Sequence, residues 1–359
     1  MASLKVGLIP YSPSSNPYQR LVAGSLESAG IVVDRIAPAR FFPITRALRR
    51  GNDVLHMNWP HSFYTARSLL VTRFKRFMYF VGRLQLRQRP FVYSLDNLVA
   101  HDARDLSDET RMVQLLIDCC DGIVTMSKAA EVILRQTYTV PSYTRVAIIP
   151  HGHYVGEYPN TISRAEARAK LGISAGARVV LALGLIRRYK GLDLLTQAFN
   201  KVASAGNVLL IAGKAADESL LDELRKLAQA APPGSEVRLV PGLVAEQDMQ
   251  VFFNAADVAA LPYQDFPLNP GGLLLAMSFG RCVVAPRKGT IPERACPDGW
   301  FGYDGDGVEP LAAALADALA RPDLLERGAA SLAFAKENYD WKKLGFKYRE
   351  LYEAILKDR

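Results

Sequence analysis

The chain has 359 residues, 49% of them hydrophobic and 22% charged, which is enough for two domains of ordinary size with full cores. No apolar run reaches the roughly 18 residues of a membrane-spanning helix. The four cysteines follow no metal or disulfide spacing, and MASLKVGLIPYS lacks the apolar region of a secretion signal, so a reducing cytoplasm is the expected compartment.

Taken in chain order, the first half predicts strands at Lys5–Pro10, Val32–Ile36, Asp53–Met57, Phe91–Leu95, Gly122–Met126 and Arg145–Pro150. Helical patterns fit Pro17–Ala29, Ala66–Leu86, Glu109–Cys119 and Lys128–Thr137. Charge is concentrated here. The net +8 of the chain falls within residues 1–150, whereas residues 151–359 balance. From Arg46 to Pro90 there are ten Lys and Arg against one acid, Asp53, which argues for an acidic partner. Within residues 66–89, Leu70, Phe74, Phe77, Val81 and Leu84 recur at helical spacing, with Arg76, Arg83 and Arg87 opposite. Such a helix suits either an apolar core or the surface of an anionic membrane, and the membrane is the partner expected for residues 66–89. No nucleic-acid module is recognisable.

Gly, Pro, Asn and Ser cluster between Gly152 and Ser163, which marks a boundary, and Ser163 reads as an N-cap. The second half predicts strands at Val179–Leu183, Asn207–Ala212, Val237–Val240, Val258–Leu261 and Cys282–Ala285. It predicts helices at Leu192–Ala203, Glu218–Ala230, Glu246–Ala255, Gly272–Phe279 and Val308–Ala320. Runs such as VVLALG and NVLLIAG are continuously apolar, as parallel strands buried on both faces should be. Strand–helix alternation twice over predicts an α/β chain of two doubly wound domains, and with so short a linker the two should face each other across one cleft.

LALGLIRRYKGLDLLTQAF, from Leu181 to Phe199, carries the strongest chemical signal. An apolar strand ends at Gly184, three cations follow (Arg187, Arg188, Lys190), and a helix begins after Gly191. Cations at a strand-to-helix junction form a place for an anion, aided by the N–H groups of the helix end. Arg brings a planar fork to phosphate oxygens and Lys a point charge. No metal site stands out, and Asp304 and Asp306 in YDGDG read as a turn.

GLIRRYKGLDLLTQAF resembles the phosphate-binding segment of nucleotide-sugar glycosyltransferases with the GT-B fold. It is most similar to family 4 and to the xanthan-type β-mannosyltransferase-like enzymes of bacterial polysaccharide assembly. LPYQDFPLNPGGLLLAMSFGRCVVAPRKGTIPE resembles their donor loop and helix. DVLHMNWP, YSLDNLVAHD, GIVTMSKAA and AIIPHGHY resemble N-terminal signatures of the same group, and DWKKLGFKYRELYEAIL their closing helix. The resemblance implies a GT-B fold of two Rossmann-like domains. Residues 1–155 would bind acceptor, residues 156–340 donor, and a helix at 341–359 would cross back to the first domain. It further implies a metal-independent hexosyltransferase that needs no cofactor and takes a nucleotide-diphosphate sugar as co-substrate. Arg188 and Lys190 would contact the diphosphate, Gly184 would admit it closely, and Leu243 would lie near the base. Arg187 is either a surface residue or a further contact.

One departure is plain. Family 4 retaining enzymes carry two glutamates, with seven residues between them, in the donor loop; here Pro267 and Leu275 stand in their places. Asn269, Gly271 and Gly272 precede the helix instead and are read as donor contacts, Asn269 alternatively as a cap. The substituted loop resembles that of the xanthan-type β-mannosyltransferase-like enzymes, which implies an inverting enzyme, and such an enzyme needs a general base on the acceptor hydroxyl. Asp96, ending the strand FVYSL, is the expected base, with a turn cap as the alternative. His101 is the second catalytic candidate. Asn16, His56, Trp59 and His151 are the expected acceptor contacts. The expected function is therefore transfer of a sugar, with GDP-mannose preferred, to a glycan or lipid-linked oligosaccharide at the inner face of the cell membrane. The competing readings are a UDP-sugar enzyme and a GT-B scaffold that binds nucleotide or glycan without turnover.

Overall fold

The computed structural model describes residues 3–12, 17–38, 47, 50–66, 68–86, 88–96, 98 and 106–359. The chain divides into two units, Met1–Gly152 with Tyr339–Arg359, and His153–Asn338.

In the first unit the order is β1 (Lys5–Ile9), α1 (Tyr18–Ser28), β2 (Val32–Arg35), β3 (Val54–Met57), α2 (Leu69–Leu86), β4 (Phe91–Ser94), α3 (Leu106–Ile117), β5 (Gly122–Thr125), α4 (Lys128–Thr137) and β6 (Arg145–Ile148). Ser127 caps α4 by accepting from the Ala130 N–H at 3.0 Å. All pairings are parallel, in the order β2-β1-β3-β4-β5-β6. The strand order reverses between β1 and β3, and open α/β sheets bind ligands beyond strand ends at such a switch point.

The second unit runs α5 (Arg164–Leu171), β7 (Arg178–Leu183), α6 (Leu192–Val202), β8 (Asn207–Gly213), α7 (Glu218–Ala228), β9 (Glu236–Pro241), α8 (Met249–Ala255), β10 (Val258–Ala260), α9 (Gly271–Ser278), β11 (Cys282–Pro286), α10 (Ile291–Arg294), β12 (Trp300–Tyr303), α11 (Val308–Ala320) and α12 (Leu324–Asn338). Ser163 and Glu166 form a reciprocal capping box on α5. The sheet is again parallel, in the order β12-β11-β10-β7-β8-β9, and its switch point lies between β7 and β10. β8 is buried along its whole length, as its unbroken apolar run predicts. β12 was not expected: WFGY is four residues long and runs into DGDG, so it reads as part of the turn.

The last helix, α13 (Trp341–Asp358), packs on the first unit. Asp340 caps it through the Lys343 N–H. Ser25 Oγ donates to the Trp341 carbonyl at 2.7 Å, and Arg349 to the Ala29 carbonyl at 2.8 Å. Two glycines permit the approach. A Cβ on Gly345 would stand 2.1 Å from the Ser25 carbonyl oxygen, and one on Gly152 2.3 Å from the Trp341 ring.

Candidate active site

In the second unit, β7 ends at Gly184, whose φ of +122° only glycine adopts readily. A Cβ there would stand 2.9 Å from Lys190 Nζ, so the missing side chain is what lets the ammonium lie against the strand end. The loop between them is fixed. Ile186 is fully buried and bridges to Ala215 beside β8. The Tyr189 carbonyl accepts from the Gln264 N–H at 3.0 Å, and the Tyr189 and Tyr263 rings lie parallel with centroids 6.4 Å apart. Lys190 therefore sits over the switch point, among Ala182, Gly184, Ala260 and Tyr263. Burial, with Arg187 alongside, pulls its ammonium down to about 8. A lysine so placed has partly lost its water and gains most from a dianion.

The two arginines part company. Arg188 is turned to α7, where it meets Glu223 at 3.1 Å, Ser219 Oγ at 3.1 Å and Asp217 at 3.5 Å, with its side chain 57% exposed. It is committed to carboxylates, contrary to the expectation that it shares the anion site. Arg187, left open by the sequence, is the cation next to Lys190. Adjacent residues entering a one-turn helix point in different directions, which the string RRYK does not reveal.

The second unit has two larger hollows. One of about 330 Å³ is bordered by Gly242, Leu243 and Val244 beyond β9; Leu243 itself is 85% exposed. The other, about 310 Å³, shares Tyr263 with the Lys190 site and reaches Lys288 and Tyr303. Asp304 and Asp306 pair with Arg287 and Lys288. In the donor loop Pro270 holds the N-cap of α9 without a side-chain cap, and Asn269 Oδ1 accepts from buried Arg294 at 3.2 Å. Gly271 and Gly272 open the helix beneath Tyr154 and Tyr263, whose hydroxyls would lie 3.5 and 3.2 Å from added Cβ atoms. Thr290 clamps the Pro267 carbonyl through its N–H and hydroxyl at 3.1 and 3.2 Å, so backbone stands where the resembling enzymes place a carboxylate.

In the first unit several expected acceptor residues are consumed by packing. His56 is fully buried, with Nδ1 2.6 Å from the Tyr352 hydroxyl and Nε2 2.7 Å from Ser94 Oγ. Both ring nitrogens are used, and burial lowers its pKa to about 3. It is a neutral strut under α13, not an acceptor contact. His151 is 3% exposed and lies between Tyr18 (4.7 Å) and Trp341 (5.5 Å), which likewise assigns it to packing. Trp59 is only partly buried and has a left-handed backbone, φ +48° and ψ +66°, at the end of β3. That conformation costs about 1–3 kcal/mol in a non-glycine residue and concentrates at functional positions. Asp96 follows β4, 4% exposed, with Oδ2 sealed from solvent. Its charge raises the pKa of the Tyr93 and Tyr348 hydroxyls, behind the larger effect of burial. Asn16 and His101 lie outside the described residues.

A constellation the sequence did not single out sits just past β3. His61 Nδ1 and the Tyr64 hydroxyl both donate to Glu109 Oε1, at 2.5 and 2.7 Å. Glu109 is 3% exposed while the His61 side chain is 19% exposed. The H-x-x-Y spacing after a strand end was the available signal; its carboxylate partner lies 48 residues on.

Residues 177–321 match the family described as glycosyl transferases group 1. The chain carries a group 1 glycosyltransferase domain. The chain is 28% identical to the GDP-mannose:glycolipid 4-beta-D-mannosyltransferase of Xanthomonas campestris pv. campestris, over 96% of its own length and 90% of that protein's. It is 26% identical to the D-inositol 3-phosphate glycosyltransferase of Kineococcus radiotolerans, over 68% and 60% of the two lengths. Among solved structures it is similar to sucrose-phosphate synthase from Thermosynechococcus elongatus, with TM-score 0.76, 18% identity and 99% and 100% of the two chains covered. Anabaena HepE, solved with UDP and glucose, matches with TM-score 0.72 and 15% identity over 98% and 100%. This glycosyltransferase thus has the two Rossmann-like halves of the GT-B fold, six parallel strands in each.

Proposed function

We propose that the protein transfers mannose from GDP-mannose to a glycolipid or lipid-linked glycan, with inversion at the anomeric carbon. The observation that carries this reading is Lys190, a partly desolvated ammonium held over the switch point of the second sheet by Gly184, Tyr189 and Tyr263. It is the donor diphosphate anchor, with Arg187 beside it. Charge developing on the departing diphosphate falls on the ammonium, so the side chain stabilises the transition state more than the ground state. The hollow beside Gly242, Leu243 and Val244 takes the base; Asn269, Gly271 and Gly272 border the sugar. The donor preference draws on the mannosyltransferase that aligns over 96% of the chain. Inversion draws on Pro267 and Leu275 in place of carboxylates, and the reaction needs no metal because Lys190 and the N–H groups of α9 serve the diphosphate.

Asp96 takes the proton of the attacking acceptor hydroxyl as the oxygen bonds to the anomeric carbon and the bond to the diphosphate breaks. Trp59 stacks on the acceptor sugar. A second reading gives the base role to His61. Glu109 accepts from Nδ1, which leaves Nε2 as a proton acceptor on a side chain more exposed than that of Asp96. A panel of GDP- and UDP-sugars, with the anomeric configuration of the product read by NMR, tests the proposal. β-Linked product from GDP-mannose is expected. α-Linked product contradicts inversion, turnover of UDP-sugars alone contradicts the donor, and tight nucleotide binding without any turnover identifies a scaffold. Loss of transfer in His61→Gln with transfer kept in Asp96→Asn moves the base to His61.

A further inference from the structure

We propose that α2 docks the protein on an anionic phospholipid bilayer, its apolar stripe set into the interface. The helix is turned inside out relative to an ordinary surface helix. Leu70 (77% exposed), Phe77 (61%), Leu84 (51%), Phe74 (48%), Phe80 (45%) and Val81 (36%) point away from the protein. Periodicity alone allowed this stripe to be core; its exposure excludes that. Among the described residues, seven of the eighteen exposed large hydrophobics lie on this one helix, a concentration that marks an interaction surface rather than scattered exposure.

The opposite face anchors the helix. Tyr79 and Leu86 are fully buried. Lys75 Nζ donates to the Thr65 carbonyl at 3.0 Å, and Arg76 to Asp108 at 2.9 Å. These bonds use the polar side of the helix and leave the apolar side outward. Arg73, between Leu70 and Phe74, is exposed on the outward face.

Charge selects the occupant. The segment from Arg46 to Pro90 carries ten cations and one acid. A second copy would bring the same positive field against itself, which like-charge repulsion disfavours. An anionic leaflet offers both an apolar interior and negative headgroups. Among the described residues no helix is long and apolar enough to cross a membrane, so α2 lies along the surface. This inference stands apart from the transfer reading, because the helix shares no residue with the donor site.

Cosedimentation of the full chain with vesicles tests it, comparing pure phosphatidylcholine with an equimolar mixture of phosphatidylcholine and phosphatidylglycerol. The protein should partition onto the anionic vesicles at low salt and bind weakly to the neutral ones. The triple variant Leu70→Ser, Phe74→Ser, Phe77→Ser should lose about tenfold or more of that partitioning. Leu325→Ser, at an exposed site on α12 (57%), should lose none. Arg73→Glu keeps the stripe intact and should weaken binding to anionic vesicles alone, by about fivefold. Calorimetric binding of GDP should be unchanged in all variants, which checks folding and separates this proposal from the donor reading. Absence of vesicle binding, or binding untouched by the triple variant, overturns the proposal. A wild-type dimer that the triple variant dissolves also overturns it, since the stripe then belongs to a second copy.

Discussion

The two halves use the carboxyl ends of their parallel sheets in opposite ways. In the second, a cation is kept near the strand ends by removing atoms: Gly184 has no Cβ to push Lys190 away, and few groups answer its charge. In the first, the polar residues at the strand ends are answered by α13. His56 bonds Tyr352, and His151 stacks on Trp341. A ligand group is marked by being held without being satisfied, and a structural one by being satisfied. Lys190 is held in the first way, whereas His56 and His151 are taken up by packing.

Substitutions break or sharpen this contrast. The largest effect falls on Asp96→Asn, which should lower kcat about 10²–10⁴-fold while leaving GDP affinity unchanged, the usual worth of a general base; kinetics with calorimetry on the same samples checks both halves of the statement. Lys190→Ala should weaken GDP binding about 10- to 100-fold, the loss of one charge-assisted contact to a buried site. Gly184→Ala should act on the same contact at about tenfold, because it combines a left-handed backbone with a crowded Nζ. Tyr352→Phe should cost about 1–2 kcal/mol in chemical denaturation, with transfer kinetics intact, because it removes one partner of a buried ring. Smallest of all, Arg188→Ala should change GDP affinity by less than about threefold, since its bonds run to exposed carboxylates on α7.

Most of the architecture was legible because parallel strands buried on both faces write themselves as apolar runs, and VVLALG and NVLLIAG became β7 and β8. The segment proposed to hold the diphosphate could be picked out because its strand end, cations and helix start are contiguous in the chain. What escaped depends on distance or direction. His56 and His151 read as contacts until Tyr352 and Trp341, some 200–300 residues later, take them up. Arg187 and Arg188 differ only in which way a single turn points them. The stripe on α2 gave its spacing but not the side that faces the protein, because the deciding contacts, Thr65 and Asp108, lie outside the helix. Glu109 was hidden from His61 by the same kind of separation.

Titration of GDP into the wild-type protein across pH tests the central claim most directly. With the free Lys190 ammonium near 8, a bound diphosphate stabilises the charged form and raises that value. Binding should then take up a proton around pH 8, and affinity should fall about tenfold per pH unit above it. Lys190→Ala should flatten that slope. An affinity that stays level until the ordinary lysine range, or a slope that survives in Lys190→Ala, would contradict Lys190 as the desolvated anchor of the donor.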